Sequence, residues 1–435
     1  MSEHHSGTAG NALWYRGAGL SFALLACCFA AWGLAQDLTT PLVAGFKGVF
    51  TMSTFAASFV QFVFYGAYFL LAIPAALINQ RWGYKAGVLT GIVLAAMGAF
   101  LFLPAANSLT FSFFLLALFV MAAGLSILET SASPFVMAMG TEETSTRRLN
   151  LAQSFNPIGT NLGVLIAATL ILPKMNPATA EQRQTMPIEA LHAIQKNELL
   201  TIMGPYLAFA GLLLIIGLGV FFLRIPQLRE TSAEHGNKSD GTMAALRRLL
   251  ANRHYCFGVG AQFAYVGAQV CTWTFIVIYV ENLVPGGDKV QGAWFLQLGL
   301  IGYSIMRFVM TWLMGYIRPA VLMAFMAVAA IGLSLYALFS PGLAGAWALV
   351  CVSSSMCLMF PTIYGIALHG LGNDTKLGAS GLVMAIIGGA VFPAMQGFLT
   401  DFYGSATALI VPTICFLAVL GYAIFDLRSD RTYSA

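Results

Sequence analysis

Charge is scarce in this chain: only 9% of its 435 residues are Asp, Glu, Lys or Arg, whereas 59% are hydrophobic. A typical soluble domain carries about 25% charged residues. A chain of this length with so few charges cannot cover itself with a hydrated surface, so we expect the lipid bilayer to be its main solvent. The net charge of +4 is also too small to indicate nucleic-acid binding.

Motifs of catalysis and metal binding are lacking as well. The sequence contains no Gly-x-Ser-x-Gly, no His-Glu-x-x-His and no P-loop pattern, which argues against an intramembrane hydrolase, a metalloprotease and an ATP-driven pump. The seven cysteines form no Cys-x-x-Cys pair and lie in apolar runs, which is typical of small buried side chains. We therefore predict that the protein is not an enzyme and holds no metal or organic cofactor.

Apolar runs, in contrast, are long and numerous. Twelve of them can each cross a bilayer as a helix, which takes about 20 residues; they lie near residues 17–40, 53–79, 85–104, 109–139, 148–173, 200–223, 254–281, 291–315, 319–339, 343–369, 377–400 and 405–426. The longest polar stretch follows the sixth run, so we predict an all-α membrane protein with twelve transmembrane helices in two six-helix lobes. The predicted parts are a cytoplasmic tail (1–16), an N-terminal lobe (17–223), a cytoplasmic central loop (224–253), a C-terminal lobe (254–426) and a cytoplasmic tail (427–435).

The distribution of basic residues indicates the orientation. With both termini in the cytoplasm, 15 Lys and Arg fall in cytoplasmic segments and 5 in outer loops, and Arg307 alone lies within the membrane. Cytoplasmic loops of membrane proteins carry an excess of Lys and Arg. We therefore predict that both termini are cytoplasmic.

Glu129 is the most informative single residue. It ends an apolar run that begins at Phe113, and no charge precedes it back to Lys85. A charged side chain at membrane depth costs roughly 2.5–3.5 kcal/mol on insertion scales, so such residues usually face the bundle interior or a water-filled path and have a function. The sequence thus favours a transport site near Glu129, and the alternative is a structural hydrogen bond to a neighbouring helix.

Two segments are specific enough to indicate a family: Leu128-Glu129-Thr130, and the run from Arg148-Leu149-Asn150-Leu151-Ala152-Gln153 to Ser154-Phe155-Asn156. Together with residues 32–38, 60–75, 261–269 and 360–364, they resemble the fucose–proton symporter family of the major facilitator superfamily, which includes fucose, galactose and glucose permeases. The likeness runs from about residue 17 to residue 426. It implies twelve helices, alternating access and proton-driven import of a monosaccharide across a bacterial inner membrane. L-Fucose is the first candidate for that monosaccharide.

The resemblance also implies roles for carboxylates. Glu129 matches a Glu of the family on span four that is associated with sugar binding and protonation, and a protonated carboxyl offers a sugar both a donor and an acceptor. The family's Asp on span one has no match here, because Thr39-Thr40 holds its place. Asp37 is three residues before Thr40, on roughly the same helix face. Either Asp37 takes over proton coupling or Glu129 acts alone.

Amide and aromatic side chains in the apolar helices are further candidates. Amides supply paired donors and acceptors without charge, as sugar hydroxyls require, and aromatic rings can stack on a sugar ring. We predict substrate contacts from Gln153, Asn156, Gln262, Trp32, Tyr65, Tyr265 and Trp273. The alternative is bonding between helices for the amides and packing or lipid contact for the aromatics.

Three arginines are candidate gating residues or charge partners. Arg307 lies inside an apolar run, where an Arg needs a partner or water. We predict that it acts in the site or its gate, with a helix–helix salt bridge or carbonyl contact as the alternative. Arg147 and Arg148 lie at a predicted cytoplasmic turn, and we expect them to form contacts between the lobes. The alternative is that these two only set the topology.

Some alternatives stay open at this level. One alternative is that the substrate is galactose, glucose or another sugar. Another is that transport is uniport or is coupled to an ion other than the proton. A protein of a different class, a sugar sensor that does not transport, would usually carry a soluble output domain, and none is evident in the sequence. The expected partners are a monosaccharide, the proton and the bilayer, with no nucleic acid, and we expect a monomer.

Overall fold

The protein is described by a computed structural model that covers residues 13–15, 17–49, 54–171, 174, 182–183, 185–223 and 242–429, with side chains except at 37–49, 54–59, 167–168, 188 and 202. All regular elements in this part of the chain are helical. The α-helices are α1 (Gly19–Val49), α2 (Thr54–Ser108), α3 (Phe111–Met137), α4 (Ser145–Gln153), α5 (Asn156–Ile166), α6 (Ile188–Phe222), α7 (Thr242–Ala251), α8 (Arg253–Leu283), α9 (Lys289–Leu313), α10 (Pro319–Phe339), α11 (Leu343–Ser355), α12 (Met359–Leu368), α13 (Thr375–Met384), α14 (Gly388–Tyr403) and α15 (Ile410–Arg428).

Eleven continuous helical stretches in the described part of the chain are long and apolar enough to cross a membrane. The stretch within α2 is 49 residues long, enough for two crossings of a bilayer. Gly83 divides it, because its φ of 80° and ψ of 167° are not helical and suit glycine. The predicted fold class, with twelve spans, is therefore confirmed.

Three of the twelve spans are interrupted within the membrane. Span five consists of α4, α5 and a π-helical turn (Ala167–Ile171), and span ten consists of α11 and α12. Span eleven consists of α13, a 3₁₀ turn (Ala385–Ile387) and α14. Broken helices are tolerated at membrane depth only where protein or a water-filled cavity surrounds the backbone. The break after α4 separates Gln153 from Asn156, which both face the cavity described below.

Small residues bring the helices of the N-terminal lobe close together. A Cβ on Gly159 of α5 would overlap the carbonyl oxygen of Ala30 in α1, and one on Gly124 of α3 would overlap the backbone of Ala95 in α2. Membrane helices pack through such small residues because lipid provides no hydrophobic drive for their association. The tight contact between α1 and α5 positions the N-terminal wall of the cavity.

The two lobes touch at the end of the bundle that we predict to be cytoplasmic. The backbone N–H of Gly370 donates to Glu142 Oε1 at 2.8 Å. The Asn150 amide donates to Thr362 Oγ1 at 3.2 Å. One bond joins a loop of each lobe and the other joins α4 to α12, so this side of the bundle is closed.

The predicted central loop is only partly described. Helix α7 lies inside its predicted range of 224–253, whereas residues 224–241 lie outside the described residues. The two predicted tails are described only at residues 13–15 and 427–429, and the last span extends to Arg428. The division of the chain at these boundaries therefore stays a prediction.

Candidate substrate site between the lobes

A cavity lies between the lobes, and the space within it and its mouth totals about 590 Å³. Its wall mixes aromatic rings with amides and one arginine, and the lining residues are Trp32, Gln36, Phe64, Tyr65, Tyr68, Gln153, Asn156, Thr160, Val266, Gln269, Val270, Trp273, Tyr303, Arg307, Phe360 and Ile386. This composition suits a ligand with both polar groups and an apolar face.

Glu129 lies just behind this wall, on α3, and its side chain is buried. One carboxylate oxygen, Oε1, accepts hydrogen bonds from Ser133 Oγ at 2.9 Å and from Gln153 Nε2 at 3.1 Å. The other oxygen, Oε2, has no hydrogen-bond partner among the described residues. Ser133 is four residues after Glu129, so one turn of α3 supplies one of the two donors.

Gln153 links this carboxyl to the opposite lobe. Its amide N–H₂ donates to Glu129, while its carbonyl Oε1 accepts from Arg307 Nη2 at 3.1 Å. Arg307 on α9 also donates through Nη1 to the hydroxyl of Tyr303 at 2.7 Å. The carboxyl of the N-terminal lobe and the guanidinium of the C-terminal lobe are thus connected through a single amide.

Aromatic side chains form two opposite parts of the wall. On the N-terminal side, Trp32 Nε1 donates to the hydroxyl of Tyr68. On the C-terminal side, Trp273 packs edge-on against Tyr303 with ring centroids 5.3 Å apart. Trp273 Nε1 and Arg307 Nε are buried and have no hydrogen-bond partner in the described part of the chain. Unsatisfied buried donors are rare in proteins, and here they border a cavity that a ligand with acceptor oxygens could fill.

Most of the predicted substrate and charge-partner residues meet at this cavity. The side chains that line it as predicted are Trp32, Tyr65, Gln153, Asn156, Trp273 and Arg307. Glu129 belongs to the same hydrogen-bond network but lies one side chain away from the free space. Asp37 is in α1, but its side chain lies outside the described residues.

Two of the predicted residues, Tyr265 and Gln262 on α8, do not line this cavity. Tyr265 is fully buried and donates to the carbonyl oxygen of Met356 at 3.1 Å. Its side chain lies about 100° around the helix from that of Val266, which lines the cavity. Gln262 is also buried and lies about 6 Å nearer the start of α8 than Val266, toward the predicted cytoplasmic side. Neither amide atom of Gln262 has a hydrogen-bond partner among the described residues.

The two adjacent arginines differ in their contacts. Arg147 Nε donates to the carbonyl oxygen of Thr311 in α9 at 3.4 Å, a contact between the lobes. The expected contact between the lobes does not hold for Arg148, whose partners all belong to the N-terminal lobe and the segment before it. Its guanidinium donates to the carbonyl oxygens of Leu13, Val136, Met137 and Thr141 and to the Thr144 hydroxyl. Because Arg148 points into its own lobe, it secures the turn between α3 and α4.

Sequence reasoning missed several residues of the wall. Gln36 is four residues after Trp32, Tyr68 is three after Tyr65, and Tyr303 is four before Arg307. Side chains three or four apart share a helix face, so this spacing was the signal that could have found them.

Two six-helix lobes around a polar cavity define the class of secondary transporters that work by alternating access. The chain belongs to the major facilitator superfamily, because the model of that family matches residues 20–386. It is 40% identical to the L-fucose–proton symporter of Haemophilus influenzae over 94% of this chain and 96% of that protein. It is 36% identical to the L-fucose–proton symporter of Escherichia coli, over 93% of each chain.

A solved structure agrees with the fold. The crystal structure of the major facilitator superfamily transporter FucP in the outward conformation matches with a TM-score of 0.87 and 36% identity. The match covers 94% of this chain and 99% of that chain. The family that the sequence motifs predict is therefore confirmed, and it is a family of transporters rather than enzymes.

Proposed function

We propose that the protein imports a monosaccharide together with a proton by alternating access, with L-fucose as the first candidate substrate. The observation that carries this proposal is the buried Glu129 carboxyl, which is joined through Gln153 to Arg307 at a cavity between the lobes. The similarity to two L-fucose–proton symporters supports both the sugar and the coupling ion.

The chemistry of the wall fits a sugar. Sugar hydroxyls and ring oxygens can accept from the unpartnered Nε of Arg307 and Nε1 of Trp273. The amide of Asn156 and the ring of Trp32 offer polar and apolar contacts on the other side. The less polar face of a sugar ring suits contact with an aromatic ring.

Glu129 is our candidate for the proton site. Its Oε2 is free of protein hydrogen bonds in the described part of the chain, so a proton can reside there while Oε1 keeps its two donors. Loss of this proton leaves a carboxylate whose nearest cation is reached through Gln153. Protonation can therefore change the link between the lobes, which is what coupling requires. Asp37 is the second candidate, with Glu129 acting alone as the alternative.

The structure has its predicted cytoplasmic side closed, and the match to an outward conformation is consistent with a site that loads from outside. We further propose a monomer in a bacterial inner membrane with both termini in the cytoplasm. Fusing a fluorescent protein that folds only in the cytoplasm to the C-terminus tests the orientation: fluorescent cells support it, and dark cells with an active periplasmic phosphatase fusion contradict it.

Uptake of labelled L-fucose into proteoliposomes, with and without an inward proton gradient, tests the function. Wild type is compared with Glu129→Gln and with Glu281→Gln, a control at an exposed carboxylate outside the cavity. We expect gradient-driven accumulation in wild type and the control but not in Glu129→Gln.

The other outcomes separate the alternatives. Uptake that does not depend on the proton gradient would contradict proton coupling and indicate uniport or coupling to another ion. Uptake of galactose or glucose without fucose would change the substrate, and sugar binding without any transport would indicate a sensor.

A further inference from the structure

Helix α7 has a composition unlike the spans around it. It contains Arg247 and Arg248 and no acidic residue, and Ala245 and Leu249 pack its buried face against the rest of the protein. Arg248 forms a two-bond ion pair with Asp374, with N–O distances of 2.8 Å for both bonds. Among the described residues, the contacts of α7 therefore come from its buried face and from Arg248.

A second face of α7 is apolar and exposed. Met243, Leu246 and Leu250 are 66%, 40% and 65% exposed. At about 100° per residue these three side chains fall within about 60° of arc, roughly a quarter turn from the buried face. Arg247 follows at the edge of this face and is exposed, with no hydrogen bond or ion pair among the described residues. The free surface therefore combines an apolar stripe with an adjacent cation.

The position of α7 in the chain places its exposed apolar stripe next to the membrane. The helix ends at Ala251, and the Asn252 side chain caps the membrane span α8 by accepting from the backbone N–H groups of His254 and Tyr255. Helix α7 therefore lies at the boundary of the bilayer, on the predicted cytoplasmic side. Helices with an apolar face flanked by basic residues lie in the boundary between headgroups and acyl chains.

We propose that α7 is an interfacial helix that binds anionic phospholipids of the inner leaflet. Met243, Leu246 and Leu250 enter the acyl boundary, and Arg247 binds a lipid phosphate. The cytoplasmic leaflet is negatively charged and attracts basic residues next to a membrane span, so the charge is complementary.

The contacts of α7 connect this lipid site to the closure between the lobes. Asp374, the partner of Arg248, lies in the turn that joins spans ten and eleven. In the same turn, Gly370 binds Glu142 of the N-terminal lobe. Lipid bound to α7 therefore steadies the turn that closes the cytoplasmic side, and the rate of transport should depend on the anionic lipid content.

Hydrogen–deuterium exchange of the full-length transporter in nanodiscs tests the proposal. We expect the amides of residues 242–251 to exchange more slowly in an equal mixture of phosphatidylglycerol and phosphatidylcholine than in phosphatidylcholine alone. High salt should remove the difference because it screens exposed charges. In a titration at low phosphatidylglycerol fractions, the Arg247→Gln variant should reach a given protection only at about five-fold more phosphatidylglycerol than wild type, since one basic residue contributes about 1 kcal/mol near an anionic surface.

Arg81→Gln, at another predicted cytoplasmic turn, is the control and should behave as wild type. Equal exchange of residues 242–251 in both lipid compositions would overturn the proposal, because the helix would then not respond to anionic lipid. Protection by inorganic phosphate in phosphatidylcholine discs would overturn it too, because the site would then bind a free anion rather than a lipid. A Leu250→Gln variant that keeps full protection would show that the apolar face does not enter the bilayer.

Discussion

Gln153 and Gln262 are both glutamines buried in membrane spans, yet the structure predicts opposite results when each is replaced by Leu. Gln153 donates to Glu129 and to Ser133 Oγ and accepts from Arg307. Gln262 has no hydrogen-bond partner at either amide atom among the described residues. The pair is a matched test of the site, since the same side chain is changed in the same way and both glutamines are buried.

The magnitude for Gln153→Leu follows from the bonds that it removes. Two of them involve groups that carry charge in the link from Glu129 to Arg307, and hydrogen bonds to charged groups contribute about 1.5–3 kcal/mol each. Cavity water can replace part of this, so we expect a net loss of one such bond in sugar binding. That loss raises the dissociation constant about 10- to 150-fold.

Gln262→Leu should leave sugar affinity within about two-fold and keep or raise thermal stability, because an unsatisfied buried polar group costs about 1–3 kcal/mol. Calorimetric titration of the detergent-solubilised protein with the transported sugar, together with thermal unfolding, measures both quantities. If Gln262→Leu abolishes binding, or if Gln153→Leu binds as wild type does, the assignment of the cavity wall is refuted.

Three further predictions concern stability; thermal unfolding in detergent measures the two arginine variants, and purified yield with sugar uptake measures the glycine variant. Arg183→Ala should destabilise by about 1.5–3 kcal/mol, because it removes a charged donor 2.7 Å from the Glu198 carboxylate, and replacing both residues with apolar ones should recover most of the loss; equal loss in the double variant would contradict this. Gly159→Val should prevent folding or uptake, since its Cβ would overlap the Ala30 carbonyl, whereas normal yield would show that α1 and α5 can separate. Arg148→Gln should cost several kcal/mol by freeing carbonyls of the turn after α3, and an unchanged midpoint would assign it to topology alone.

Much of the architecture could be predicted from the sequence because the bilayer imposes simple rules. Length and hydrophobicity define a span, since a helix satisfies its own backbone hydrogen bonds in lipid. A buried charge such as Glu129 or Arg307 is conspicuous against an apolar background. The family motifs around Glu129 and Gln153 were local runs of sequence, so they could be identified without coordinates.

Placement of individual side chains was harder to predict. Tyr265 and Val266 are neighbours in sequence, but only Val266 faces the cavity, because one residue turns the helix by about 100°. Gln262 and Gln153 look alike as amides in apolar runs, and only the packing of α8 against the rest of its lobe separates them. Arg147 and Arg148 are also neighbours, but the rotation of the helix by one residue directs Arg147 to the other lobe and Arg148 into its own lobe.

From the sequence one can assign twelve membrane spans, the family and Glu129 as the candidate carboxylate of the site. These properties depend on composition, length and local motifs. The packing of the helices is needed to show that Gln153 joins Glu129 to Arg307, which lies 154 residues after Gln153, and that Arg147 rather than Arg148 contacts the other lobe. The reason is physical: such contacts depend on the rotation and depth of helices packed from different parts of the chain, and hydrophobicity along one segment carries no information on its partners.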